Sequence, residues 1–207
     1  MKNIKRFHVK RGEQGNEKMN PCEDFPSVVS FDGKIYRINP TWMNVLGAIE
    51  VLEDTNISDE LQLSTALSIL VEPGAPLSSR LLKAVFDTIN SSKMEKSEKQ
   101  SMDFFQDWDY IYAAFWQTYG IDLYQYPDMH WMKFSALLRG IPEGTRFSEI
   151  IAIREMDIPE PNKHNGKQRA KIMEMKSKYA LKKSGTTLQE GLVGIFNAMV
   201  SKARGGE

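Results

Sequence analysis

Residues 108–154 read WDYIYAAFWQTYGIDLYQYPDMHWMKFSALLRGIPEGTRFSEIIAIR. Trp108, Ile111, Tyr112, Phe115 and Tyr119 recur at spacings of three and four, which predicts a helix with a broad apolar face. Gly120 follows directly and can take the left-handed conformation that ends a helix. After a Tyr-Pro break, Trp131, Phe134, Leu137 and Leu138 repeat the pattern up to Gly140. Thr145 then caps a shorter helix carrying Phe147, Ile150 and Ile151. Three short apolar-faced helices in succession cannot bury those faces singly. They predict a compact multi-helix domain.

The same periodicity extends towards the N-terminus. Asn39-Pro40 offers a cap and a first-turn proline for a helix with Trp42, Val45, Leu46, Ile49 and Leu52. Ser58 opens a second helix, with Leu61, Leu67 and Leu70 among its apolar positions, and Pro73-Gly74 ends it. Pro76 begins a third, with Leu77, Leu81, Val85 and Ile89 on one stripe. The helix that holds Trp108 is expected to start near Asp103, after a polar run from Ser91 to Ser101. One segment breaks the helical rule. Ser27–Phe31 and Lys34–Ile38 are β-rich and flank Asp32-Gly33, the strongest short hairpin signal, because a type I′ turn needs positive φ at both central residues. The fold class is therefore mainly α, with one small N-terminal β-hairpin lying against the helices.

Beyond Arg154, Ile158-Pro-Glu-Pro161 is stiff and extended. A basic helix follows from about Asn165 to Leu181, with Ile172, Met175 and Tyr179 turned inward. Ser184-Gly185 separates it from a last amphipathic stretch. Residues 1–23 read as a flexible extension, 24–183 as the helical core and 184–207 as a C-terminal amphipathic extension. Deletion of residues 1–18 is expected to leave the melting temperature nearly unchanged.

Composition narrows the chemistry. The chain has 207 residues, 41% of them apolar, and a formal net charge of zero, so no overall field draws it to nucleic acid or membrane. No run is apolar enough to span a bilayer. Cys22 is the sole cysteine, which rules out an intrachain disulfide and suits a reducing cytosol. His8, His130 and His164 are widely spaced and provide no zinc pattern. There is no phosphate loop, dinucleotide fingerprint or nucleophile elbow. Asp107 and Asp109 are two apart on a helix and do not face each other as catalytic carboxylates do. The chain reads as a non-enzyme with no metal and no cofactor. His130 is better read as a helix-start residue bonding locally than as a switch or a ligand.

Charge is nevertheless segregated. No Lys or Arg lies between Ser101 and Met132, while Asp103, Asp107, Asp109, Asp122 and Asp128 all do. The many aromatic rings there suit a core or a protein interface better than base stacking, which needs interleaved cations. Lys163, Lys167, Arg169, Lys171, Lys176, Lys178, Lys182 and Lys183 face a single acid, Glu174. A solvated helix face is the plainest reading of that run, a partner's acidic surface the next and specific DNA binding the last. An acidic and a basic patch on a neutral chain suit head-to-tail self-association. The candidates are Asp103, Asp107 and Asp109 on one side and Arg169, Lys171, Lys176 and Lys178 on the other. In the C-terminal stretch Leu188, Leu192, Ile195, Phe196 and Met199 share one helical face. Gly191 and Gly194 weaken that helix, so it is expected to order on docking to a partner helix or to its own core.

Several phrases occur in a fixed order: Asp24-Phe25-Pro26, the Asp32-Gly33 hairpin, Tyr110-Ile-Tyr-Ala-Ala-Phe115, Tyr119-Gly-Ile-Asp-Leu123, His130-Trp131-x-Lys133-Phe134, Gly140-Ile-Pro142, Ile150-Ile-x-Ile-Arg154 and Lys178-Tyr-Ala-Leu181. In this the chain resembles the gene-product-fifteen family of small proteins from tailed phages of Gram-positive hosts. The resemblance covers about Asp24 to Leu181. It implies a tail-assembly chaperone that binds the tape-measure protein non-covalently in the cytoplasm of an infected or lysogenic host. It also implies absence from the mature virion. The rival readings are a nucleic-acid-binding or head-associated phage factor acting through residues 163–183, and a minor structural tail protein.

Overall fold

The computed structural model describes residues 24–90 and 101–182. The two terminal extensions and most of the polar run after Asn90 lie outside the described residues. The order is β1 (Val28–Phe31), β2 (Lys34–Arg37), α1 (Trp42–Glu53), α2 (Asp59–Leu70), α3 (Ser79–Ile89), α4 (Trp108–Tyr119), a 3-10 turn (Leu123–Gln125), α5 (Trp131–Arg139), α6 (Arg146–Glu155) and α7 (Gly166–Lys178). The fold is mainly helical with one antiparallel N-terminal hairpin, as the sequence pattern predicts.

The hairpin turns where expected. Asp32 and Gly33 have φ of 47° and 76°, the pair of positive values that a type I′ turn requires. Val29 pairs with Tyr36 and Phe31 with Lys34. Val29 and Phe31 point inward, and α3 packs against β1, so the marginal hairpin is held by helix burial. The chain then leaves β2 through two isolated bridges that the sequence does not announce. Ile38 pairs with Val71, at the end of α2, and Thr41 pairs with His130, at the start of α5. The second is closed by Trp42 N–H to the Met129 carbonyl at 2.9 Å and Trp131 N–H to the Pro40 carbonyl at 2.7 Å. These backbone bonds join the N-terminal hairpin and helix pair to the helices that follow.

Helix α1 packs on α2, and α2 on α3; α5 touches both α1 and α4; α6 touches both α4 and α7. One continuous apolar core runs through all of them except α7, which adds Ile172 beside α6. The caps explain the boundaries. Thr41, Ser58 and Thr145 each accept a backbone N–H of the first turn of α1, α2 and α6. Gly120, at φ 64°, ends α4 in the left-handed region.

Four local expectations are corrected. The first cap is Thr41 rather than Asn39-Pro40, because the Pro40 carbonyl is engaged in the bridge to α5. Helix α3 starts after Ser78, leaving Leu77 outside it and 52% exposed. Leu61 is on the solvent side of α2. Helix α4 starts at Trp108 rather than near Asp103, because the Asp103 and Asp107 carboxylates hold the preceding residues in a turn.

Candidate interaction surfaces

The rings of residues 104–134 do two different jobs. Phe134 is fully buried and stacks against Phe115 at 5.1 Å, Trp131 at 5.6 Å and Trp42 at 5.7 Å between centroids. Trp42 in turn stacks on Trp108 at 5.3 Å. The indole N–H groups are placed as well. Trp42 donates to the Tyr126 carbonyl at 2.9 Å, Trp131 to Asn90 Oδ1 at 2.9 Å and Trp108 to the Tyr124 hydroxyl at 3.0 Å. Ring faces covered by other rings cannot receive bases. This part of the aromatic segment is core.

Arg154, near the end of α6, is the polar centre of the same region. Its Nη1 and Nη2 reach both oxygens of Asp107 at 2.6 and 2.8 Å. Its Nε donates to the Tyr179 carbonyl at 2.6 Å, and Nη1 also donates to the Ser101 carbonyl at 3.0 Å. One guanidinium thus ties the start of α4, the turn before it and the end of α7 to α6. The fork of donors makes this possible, and a lysine could not supply it.

The structure buries some of the candidate self-association residues and exposes others. Asp103 and Asp107 are buried, at 5% and 1% exposure. Asp103 accepts the backbone N–H of Phe105 and Gln106, and Asp107 is paired with Arg154 and also accepts the Asp103 N–H. Neither carboxylate is on the surface. Lys176 Nζ is likewise bound to the Arg154 and Met156 carbonyls, both at 2.6 Å. Arg169 is only half-exposed. Asp109, Lys171 and Lys178 remain on the surface.

His130 is the N-cap of α5. The Met132 N–H donates to its Nδ1 at 3.1 Å, so Nε2 carries the proton and donates to the Pro26 carbonyl at 3.1 Å. Phe25 stacks on the ring at 4.8 Å. Burial lowers the histidine pKa, and the bond to Pro26 opposes that only in part. The residue is a neutral clasp between the N-terminal segment and α5.

Among the described residues, α4 and α7 each present an exposed face. On α4, Asp109, Ala113, Trp116, Gln117 and Gly120 point to solvent, and Trp116 is 57% exposed. Tyr124, whose ring lies against Trp108 and Tyr112, is also exposed, as is Tyr126. On α7, Lys167, Ala170, Lys171, Met173, Glu174 and Lys178 are exposed. Among the described residues no group of three His, Cys, Asp or Glu could hold a metal ion. No described helix is long and apolar enough to cross a membrane. The candidate partner-binding residues Leu188, Leu192, Ile195, Phe196 and Met199 lie outside the described residues.

The family model described as Bacteriophage Gp15 protein matches residues 22–181, most of the chain. The chain belongs to the Bacteriophage Gp15 protein family. It is thus a phage protein. The matched span opens just before the described N-terminal segment and closes three residues after α7, so it coincides with the folded unit around Phe134 and Arg154. Neither the curated proteins nor the solved structures contain a match to the chain.

For this Gp15 family member, sequence reasoning missed Arg154 as a structural centre. The only signal was an arginine closing the apolar run Ile150–Ile153, and nothing local names Asp107, 47 residues earlier, as its partner. It also treated Trp116 as one more ring of the aromatic cluster. Helical spacing alone sets Trp116 apart, since it falls on the same stripe as Asp109 and Ala113.

Proposed function

We propose that this chain is a tail-assembly chaperone. It binds the tape-measure protein non-covalently and without catalysis, in the cytoplasm of the infected or lysogenic host, and is left out of the finished virion. The observation that carries the reading is the family match over residues 22–181. Supporting it is the C-terminal sequence, where Leu188, Leu192, Ile195, Phe196 and Met199 recur at the spacing of an amphipathic helix, with Gly191 and Gly194 among them. A weak helix orders only when docked, which keeps binding reversible. Reversibility is what a chaperone needs, because tail-tube subunits must later displace it.

Co-expression tests the reading. The tape-measure protein of the same phage should stay in the soluble fraction when this chain is present and aggregate when it is absent. Equal solubility in both cases rejects it. Mass spectrometry of purified particles should find no copies of the chain; stoichiometric copies would make it a structural tail protein instead.

A second reading rests on α7, where Lys167, Lys171 and Lys178 are exposed. If α7 binds DNA, affinity must fall steeply between low and physiological salt. The absence of any DNA retention at low salt removes this alternative.

A further inference from the structure

The exposed faces of α4 and α7 are complementary to each other in chemistry and in spacing. The α4 face carries Asp109, the small residues Ala113 and Gly120, and the exposed ring of Trp116. No cation lies anywhere in its segment from Ser101 to Met132. An exposed tryptophan beside small residues, on a helix already held by its buried side, is the composition of an interface anchor. The α7 face carries Lys167, Lys171 and Lys178 around Ala170 and the 52%-exposed Met173.

We propose that the α4 face of one copy packs antiparallel on the α7 face of a second copy of this chain. The register follows from helical spacing. Asp109 and Trp116 are seven residues apart, and so are Lys178 and Lys171. Setting Asp109 against Lys178 therefore sets Trp116 against Lys171, where an ammonium group meets the indole face. Four residues beyond Trp116, Gly120 falls opposite Lys167, four residues before Lys171. There a cation meets the negative end of the α4 dipole, at a position with no side chain to obstruct it. Ala113 falls opposite Glu174, the single acid of α7, at the point where the helices approach most closely. Within one chain both helices pack on α6, and the proposed contact is between copies. The contact does not depend on the tape-measure reading, because both faces belong to the described fold.

Sedimentation velocity of the full chain tests this. The wild type should associate as its concentration rises and dissociate as salt rises. The pair Asp109→Asn with Trp116→Gln disables only the α4 face; the pair Lys171→Gln with Lys178→Gln disables only the α7 face. Each double variant alone should weaken association about tenfold or more, the scale of an interface anchor. A one-to-one mixture should recover a dimer, since each variant supplies the face that the other lacks. A wild type monomeric throughout, a variant that associates as the wild type does, or a mixture that stays monomeric overturns the proposal. Cross-linking gives a reading that does not depend on those variants. In a Cys22→Ser background, Ala113→Cys with Glu174→Cys should form disulfide-linked dimers under oxidation. If only monomer forms, or only an intrachain link, the proposal fails.

Discussion

Arg154 and Asp107 meet in a two-pronged ion pair, 2.6 and 2.8 Å long, between side chains that are 10% and 2% exposed. The pair joins α6 to the residue that precedes α4, and the same guanidinium holds the Tyr179 carbonyl beyond α7. Removing one partner leaves the other charge buried and uncompensated. Arg154→Ala should cost roughly 3–5 kcal/mol. Arg154→Lys should recover little of that, because an ammonium cannot serve Asp107, Ser101 and Tyr179 together. Denaturant unfolding of the two variants measures this. A loss under about 1 kcal/mol would show that the pair is not what joins these helices.

Phe134 is the ring on which Trp42, Phe115 and Trp131 converge. Phe134→Ala should destabilise the fold by about 3–5 kcal/mol and flatten the near-ultraviolet circular dichroism of the stacked indoles. Trp116→Ala, at a position 57% exposed, should change stability by less than about 0.5 kcal/mol. Similar losses for both would mean that α4 is turned differently.

Gly140 is constrained by a neighbour rather than by its own backbone. A Cβ there would sit 2.8 Å from the Tyr119 hydroxyl, which donates to the Leu137 carbonyl at 2.7 Å. Gly140→Ala must displace the Tyr119 hydroxyl and so strain that bond. It should cost roughly 1–3 kcal/mol by thermal unfolding. In a Tyr119→Phe background, which removes the obstructing oxygen, the penalty should shrink.

His130 gives the fold a pH dependence of definite sign. Its folded pKa lies below the ordinary 6.5 because burial disfavours the charged ring. Protonation at Nδ1 would also remove the acceptor for the Met132 N–H. The unfolded chain therefore binds the proton more readily than the folded one. The contribution is complete above about pH 6.5 and is lost progressively as pH falls from there through the lowered folded value. His130→Asn keeps a capping acceptor without titrating in this range. The variant should lose less stability than the wild type between pH 7 and 5. Parallel pH profiles would remove His130 from the account.

Local signals and long-range pairing differ in how far the sequence reveals them. The hairpin is legible because Asp32-Gly33 has one good use, and the helices because apolar residues recur along a single face. Gly120 and Thr145 mark their helix ends because each solves a backbone problem within a few residues. The entry to α4 is hidden for the opposite reason. Asp103 and Asp107 look like solvent-facing acids in a first turn until Arg154 arrives from α6 to neutralise one of them. For the same reason both read as surface charges until the fold shows their burial. Burial of a charge depends on a partner that sequence neighbours do not name. The bridge from Thr41 to His130 is likewise a pairing between distant segments with no repeat or motif to mark it.

The most direct test of the chaperone account is co-purification of the tape-measure protein with the full chain and with Leu192→Asp combined with Phe196→Asp. The account predicts that the wild type retains the tape-measure protein, and that the double variant releases it while its circular dichroism and melting temperature match the wild type. A variant that folds and still retains the tape-measure protein would contradict binding through the C-terminal stretch. A wild type that retains none would contradict the chaperone reading itself.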